Sequence, residues 1–360
     1  MVKRNADKKV LVAISGGIDS TVCAHIIKEH GYHTEGITLK LWSENETIPD
    51  ELNTTPDKNC TDAKKVADML HIPHQSVALG DSFRKHVVEK FISEYSIGRT
   101  PNPCMECNKY IKFGKLFEIA NEQNFDYIAT GHYAKISMLS SGEYALKQAN
   151  DIHKDQSYFL WSIKKEYLSR ILFPLGDYTK PEIRQIASDL GFFNADRADS
   201  QDICFIPDQN YADFIKKHSS VEFPQGNFIS PDGKILGTHN GIINYTIGQR
   251  KGLGIALGYP AFVGSKNTND NTVTICNDRQ LFSKELTASS LNILIDGALE
   301  KVTRCNAKIR YRHTPTPATV ERIDNQRIRV IFDEAQRAIT PGQAVVLYDG
   351  TTVIGGAIID

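Results

Sequence analysis

Seven cysteines lie along this 360-residue chain, and three of them stand where thiols can do chemistry. Cys104 and Cys107 form a C-x-x-C pair inside GRTPNPCMECNKYIKFG, and Cys204 sits far downstream in ADSQDICFIP. A C-x-x-C serves as half a zinc site, a redox pair, part of an iron–sulfur site or a sulfur-handling pair. No second pair occurs at zinc-finger spacing, which removes the ordinary structural zinc site. Pro101 and Pro103 hold the approach extended, and the pair opens the helical pattern NKYIKFGKLFEIA. A helix N-terminus lowers a thiol pKa, so an accessible thiolate is expected here at neutral pH. Cys23 falls in the apolar stripe of a helix, and Cys276 and Cys305 in β-patterned stretches; these read as core thiols. Cys60 opens a helix and carries no assignment.

A second chemical site follows the first apolar strand, in SGGIDS, Ser15 to Ser20. Gly16 and Gly17 let the backbone approach an anion, and the next helix supplies N–H groups and its positive dipole end. Ser15 and Ser20 add hydroxyls. The loop is neither G-x-x-x-x-G-K-[ST] nor G-x-G-x-x-G, and it holds no lysine for a terminal phosphate. Asp19 instead places a negative charge beside the expected phosphates. Either a divalent cation bridges carboxylate and phosphate, or Asp19 caps the helix.

The elements that must position these residues alternate between residues 9 and 131. KVLVAI, HTEGITLKLW, PHQSVAL and FDYIAT read as strands. IDSTVCAHIIKEHG, CTDAKKVADMLH, DSFRKHVVEKFISEY and NKYIKFGKLFEIANEQ read as helices. The class is α/β, a doubly wound parallel sheet whose ligand lies outside the carboxyl ends of the strands. Helical patterns run on through DQSYFLWSIKKEYLSRIL, TKPEIRQIASDLG and QNYADFIKKH, where Tyr158, Phe159 and Trp161 read as core. Then glycines become frequent, and PDG marks a hairpin. AKIRYRH, PATVERI, RIRVIFD, QAVVLYD and VIGGAII read as the short strands of a small barrel. We expect domains over 1–217, 218–283 and 284–360.

Basic and acidic residues nearly balance, 42 against 43, so no global basic field drives non-specific nucleic-acid binding. A nucleic-acid partner would be met by local patches, such as Arg310, Arg312 and His313 in IRYRH. YTIGQRKGLGI reads either as a phosphate cradle or as a hairpin with solvated charges. No run is long enough to span a membrane, and MVKRNADKK is a polar lead-in without a hydrophobic signal region. The expectation is a cytoplasmic protein with no membrane partner.

SGGIDS resembles the SGGxDS loop of the PP-loop ATP pyrophosphatases, of adenine nucleotide alpha hydrolase-like fold. TPNPCMECNKYIKFG, ATGHYAKI, KDQSYFLW, SQDICFI, YTIGQRKGLGI and AKIRYRH, in that order from residue 9 to the end, resemble the tRNA-specific 2-thiouridylases of that superfamily. The resemblance implies ATP-dependent 2-thiolation of the wobble uridine, with Mg²⁺ and with sulfur delivered as a persulfide. The donor protein would be a sulfur relay or a cysteine desulfurase. It also implies a PP-loop domain, a small central β-rich domain and a C-terminal β-barrel that meets tRNA. Ala13, Ile14, Ser15, Gly16, Gly17, Ile18, Asp19 and Ser20 would bind ATP, with Leu39 and Gly131 near the adenosine and Asp19 on the metal side. Cys204 would carry the persulfide, with Cys107 attacking it and ending in a transient disulfide with Cys204. Asn102, Pro103 and Cys104 would contact the target base. His132, Lys154, Asp155, Gln156, Arg310, Tyr311 and Gln343 would contact tRNA.

Cys104 departs from the family, whose better-known members carry Asp at that position. A thiol there has a reference pKa near 8.5 rather than a carboxylate's. With Cys107 and Cys204 it also makes three thiols, the number that holds a [4Fe–4S] cluster with one iron open. Two routes therefore stand: a persulfide relay, or sulfide held on a cluster bound by Cys104, Cys107 and Cys204. Outside thiolation, an amidotransferase-type ATP pyrophosphatase leaves these cysteines without a use. A non-catalytic metal-binding RNA module leaves the intact SGGIDS without one.

Overall fold

KVLVA (Lys9–Ala13, β1) buries its three central residues, as a strand covered on both faces must. In the computed structural model it is the middle of a parallel sheet. The structure describes residues 5–41, 58–197, 203–206, 210–300 and 302–360; Trp42, at the end of the expected second strand, and most of the run before Cys204 lie outside these. His33–Lys40 (β2) and His74–Ala78 (β3) extend the sheet on one side of β1, and Tyr127–Ala129 (β4) pairs on the other. Lys135–Met138 (β5) and Tyr144–Lys147 (β6) form a hairpin, and Ile171–Leu172 (β7) closes the parallel sheet beyond β4. The order β3-β2-β1-β4-β7 reverses direction between β1 and β4, the switch point beside which open sheets of this kind bind their ligands. Helices Ile18–Glu29 and Lys180–Asp189 cover one face through Val22, Ile26, Ile183 and Ala187, packed with Val10 and Val12.

The structure departs from the sequence reading at three places. DQSYFLWSIKKEYLSRIL forms two short 3₁₀ turns, Ser157–Phe159 and Lys165–Arg170, instead of a long helix. Tyr158, Leu160, Trp161, Ile163 and Leu168 are all buried. Their spacing is too dense for one helical stripe, so the segment is enclosed on several sides. The hairpin β5–β6 is too short to show as an alternating pattern. Third, the helices near the cysteines are not plain α-helices: Arg84–Val88 and Cys107–Lys115 are π-helical, with bonds running i→i+5.

Farther along, Gly226–Ile229 (β8), Ile235–His239 (β9), Phe262–Asn267 (β10) and Thr272–Cys276 (β11) make a four-stranded sheet, with PDG turning β8 into β9. Phe282–Ile293 (β12), Val302–Lys308 (β13), Thr316–Arg322 (β14), Ile328–Arg337 (β15), Ala344–Asp349 (β16) and Thr352–Ile359 (β17) close into a barrel, since β12 pairs with both β15 and β17. Ala318, Val320, Val330, Phe332 and Val346 are buried within it. IRYRH does not alternate on a strand. β13 ends at Lys308, and Arg310–His313 form a turn closed by His313 N–H on the Arg310 carbonyl.

By packing, the chain falls into two units. One holds Met1–His86, Cys104–Phe205 and Thr351–Ile354; the other holds Val87–Pro103, Ile206–Gly350 and Gly355–Asp360. Val87–Pro103 therefore packs with later parts of the chain, and the chain changes unit between Pro103 and Cys104. Among the described residues no helix is long and apolar enough to cross a membrane.

Candidate active site

The phosphate loop leaves β1 and enters the helix Ile18–Glu29 through Gly17, which gives no side-chain cap. The first N–H groups of that helix therefore remain available to an anion. Ser20 Oγ shapes the loop, accepting from Ser15 N–H at 3.1 Å and donating to the Gly17 carbonyl at 2.9 Å. Leu39 sits near the carboxyl end of β2, half-buried, on the same sheet edge. Gly131 follows β4 and passes so close to the loop that a Cβ would lie within 2.9 Å of the Asp19 carbonyl and the Ser20 nitrogen. Gly131→Ala should push the helix start away and weaken ATP binding about tenfold, the order expected for overpacking against backbone. Calorimetric titration with ATP checks this; unchanged affinity would show that the close approach is not needed.

Asp19 does not cap the helix. Its Oδ1 accepts from Tyr133 Oη at 2.8 Å and from Lys180 Nζ at 2.7 Å. Lys180 is the first residue of the helix Lys180–Asp189, started by a capping box of Thr179 and Glu182. Its side chain is buried, with Nζ 5.8 Å from the centre of the Tyr133 ring. The loop without a lysine is thus given one from far along the chain. A second brace comes from Asn194, which donates to the Gly16 carbonyl at 3.0 Å and to Thr21 Oγ1 at 2.9 Å. Arg197 adds an ion pair with Asp62 at 3.2 Å. None of Lys180, Asn194, Arg197 and Asp62 stood out in the sequence. TKPE announced a helix start, but nothing in it pointed to Asp19.

The sulfur site lies in the same unit. Met105, in the short helix Pro103–Glu106, is buried and accepts from Trp161 Nε1–H at 3.4 Å. Asn108 Nδ2 donates to the Phe159 carbonyl at 3.0 Å. These contacts fix both ends of the C-x-x-C pair. His86, from the other π-turn, stacks on Tyr110 at 4.5 Å. Cys107 is buried, whereas Cys104 and Cys204 reach the surface, and no disulfide forms among the described residues. Phe205 anchors the Cys204 loop by packing edge-on against Phe83 at 5.6 Å.

The expected low thiol pKa is not found. Burial pushes Cys107 up to about 12, and the surrounding protein raises Cys104 and Cys204 as well. Cys107 lies at the start of the π-helix rather than at an open helix N-terminus, so desolvation outweighs the dipole. The opposing influence is Lys112, close enough to all three thiols for its charge to favour their ionised forms. An i, i+5 pair diverges on an α-helix but lies one turn apart on a π-helix. The π-register therefore aims Lys112 and Cys107 alike. The thiols also feel one another, Cys107 both Cys104 and Cys204, and Cys204 in turn Cys104. Lys112 was not singled out in the sequence, where CNKYIKFG offers four charge-bearing or aromatic positions with no way to rank them.

Alkylation of these thiols should consequently be slow at neutral pH and keep rising through and beyond the ordinary thiol range. Lys112→Met should slow it further, about tenfold for each unit by which the thiol pKa rises. Mass-spectrometric alkylation rates across pH test this, and a rate plateau near pH 7 would contradict it.

Two residues expected to contact tRNA, His132 and Asp155, are buried. His132 is buried between Phe113 and Phe173, its Nδ1 2.7 Å from Thr130 Oγ1 and its Nε2 3.5 Å from Lys112 Nζ. Burial, then Lys112, hold its pKa well below the usual value, so it is neutral. Asp155 is buried too, accepting from the N–H groups of Ala149 and Ser157 and from Ser157 Oγ. Gln156 is locked to Tyr133, its N–H on the Tyr133 carbonyl at 2.7 Å and its Oε1 on the Tyr133 N–H at 2.9 Å. These hydrogen bonds shape the loops around half-buried Lys154. In the barrel unit, Arg310 donates to the Arg337 carbonyl at 2.8 Å, and Lys308 Nζ lies 5.6 Å from the Tyr311 ring centre.

Comparison with known proteins adds three family matches. Residues 8–208 match the model described as tRNA methyl transferase HUP domain, 212–277 its PRC-barrel domain, and 283–359 the aminomethyltransferase beta-barrel domain. The tRNA-specific 2-thiouridylase MnmA of Clostridioides difficile (strain 630) is 44% identical over 98% of this chain and 98% of its own. The protein of the same name from Acetivibrio thermocellus is 44% identical over 98% of this chain and 99% of its own. A 4-thiouridine synthetase solved with RNA and bound ATP aligns over 58% of this chain and 50% of its own, at 19% identity and a TM-score of 0.37.

Proposed function

The chain belongs to the tRNA-specific 2-thiouridylase family, and from that premise we propose that it replaces the C2 oxygen of a tRNA wobble uridine by sulfur at the expense of ATP. The observation that carries this is the gathering of Cys104, Cys107 and Cys204 about Lys112 in the unit that also holds the phosphate loop.

Uracil O2 is a poor leaving group. Its attack on the α-phosphorus of ATP forms an O-adenylated base and expels pyrophosphate. The helix N-terminus after Gly17, the loop amides and Lys180 stabilise the charge that builds on the leaving phosphates. Asp19 offers one carboxylate oxygen, Oδ2, with no hydrogen bond among the described residues, and this is the atom that would hold a Mg²⁺ arriving with the nucleotide. When bound, that ion supplies neutralisation of the phosphate charge. Tyr133 and Lys180 keep the carboxylate oriented from its other oxygen.

Cys204 accepts sulfur from a donor protein as a persulfide. Cys107 then attacks Cys204 Sγ, the S–S bond of the persulfide breaks, and hydrosulfide is released while a Cys107–Cys204 disulfide forms. Hydrosulfide attacks C2 and AMP leaves with the original oxygen. A thiol reductant returns the disulfide to two thiols. The high pKa of Cys107 keeps it silent until Lys112 and the bound substrates favour the anion. His132, held neutral, packs beside Lys112 without adding a competing charge.

For the cluster route, among the described residues no three Cys, His, Asp or Glu side chains converge to hold a metal ion. Protein purified without oxygen, assayed for iron and sulfide, should thiolate tRNA with no cluster present; activity that tracks iron content would favour the cluster. The decisive test is mass spectrometry of wobble uridines in cells lacking this gene. Loss of 2-thiouridine is expected, and an unchanged level would overturn the reading.

A further inference from the structure

The loop that leads to Cys104 is fastened just before it gets there. Thr100 N–H donates to the Pro341 carbonyl at 2.9 Å, and the Thr100 carbonyl accepts from Gln343 Nε2 at 2.7 Å. Both backbone groups of one residue are thus held by the single turn that joins β15 to β16. Next to it, Arg99 Nη2 donates to the Ile359 carbonyl at 2.7 Å and its Nε pairs with Glu94 at 2.8 Å. Gly342 lies between, at φ +90°, where a Cβ would sit 2.9 Å from Thr100 N and 3.1 Å from Arg99 Cβ. The turn is itself tied to the last strand, Gly342 N–H on the Ile359 carbonyl at 3.0 Å and Ile359 N–H on the Gln343 carbonyl at 2.8 Å.

Only Pro101, Asn102 and Pro103 separate Thr100 from Cys104. Two prolines in three residues leave few backbone torsions to absorb a displacement. Where Thr100 is held, the Asn102–Cys104 stretch begins. The resemblance places Gln343 on tRNA, yet its amide is engaged with the loop that carries the target-base residues.

We propose that the turn 340–343 is a latch on the cysteine loop, with Gln343 as a positioning residue for Cys104 and Cys107. RNA bearing on this turn would be felt at the sulfur site through one hydrogen bond and a stiff tripeptide. The role in thiolation rests on the function proposed above; the latch itself is a property of the tRNA-free protein.

The test uses full-length Gln343→Leu, which keeps the side chain's bulk and loses the donor, and Gly342→Ala, which spoils the same fit without touching a polar side chain. Alkylation rates of Cys104 and Cys107 are followed by mass spectrometry without tRNA, and kcat and KM for tRNA are measured beside them. Both variants should change the alkylation rate of Cys104 by about fivefold, the order of one lost hydrogen bond. Both should lower kcat while KM for tRNA stays near the wild-type value. If Gln343→Leu raises KM alone, with thiol reactivity and kcat unchanged, Gln343 is an RNA contact and the latch is wrong. Normal reactivity in Gly342→Ala would overturn it equally. A wild-type protein that fails to thiolate tRNA would instead remove the proposed function, while a changed alkylation rate in the variants would still support the latch.

Discussion

Cys107→Ser should stop thiolation, lowering turnover on the order of 10³-fold or more, as loss of an essential nucleophile does. ATP–pyrophosphate exchange in the presence of tRNA should persist, because the adenylation step uses the phosphate loop and not the thiol. The persulfide should then remain on Cys204, visible on its peptide as an increment of about 32 daltons, one sulfur atom. A serine hydroxyl has the shape of the thiol but cannot attack a persulfide sulfur under these conditions. Cys204→Ser should be equally inactive but carry no persulfide, which separates carrier from attacker. Full activity in Cys107→Ser would remove the relay. Cys104→Ser distinguishes further: the relay leaves it measurable activity, whereas a three-thiol cluster would lose its third ligand.

Lys180→Met should reduce kcat/KM for ATP by about 10²–10³-fold, the usual cost of removing one preorganised charge at a phosphate or oxyanion site. The substitution keeps the aliphatic stem against Tyr133 and removes only the cation. Two effects add in the same direction. The leaving phosphates lose a positive partner, and Asp19 loses the ion pair that now balances its charge at 2.7 Å. Lys180→Arg should recover part of the loss, since the charge returns with different geometry. Cysteine alkylation should be unaffected. If Lys180→Met binds ATP and exchanges pyrophosphate normally, Lys180 is only a counterion for Asp19.

Much of this site was legible before any fold was known, and the reason is local. SGGIDS can be recognised because an anion loop needs small residues immediately after a strand and before a helix, all within one short stretch. The strands KVLVA, PHQSVA and YIA and the helix IDSTVCAHIIKE were readable because burial on a sheet or a helix leaves a period in the sequence. The barrel strands were readable for the same cause, apart from β12, most of β13 and the turn at Arg310–His313. The turn was misread because IRYRH alternates like a strand, yet no neighbour pairs with it once β13 ends.

The expected thiolate state of Cys107 failed for a different reason. A helix N-terminus can be guessed from Pro-x-Pro-Cys, but the depth of burial cannot, and burial is the larger influence on that thiol. Residue types and order along the chain determined the sheet, the phosphate loop and the identity of the three thiols. Only the tertiary structure decided that Lys180 meets Asp19, that a π-helical register points Lys112 toward the sulfur site, and that Gln343 holds Thr100. Charge interactions and desolvation depend on distance through space, and residues 161 or 243 positions apart leave no periodic trace of the fact that they touch.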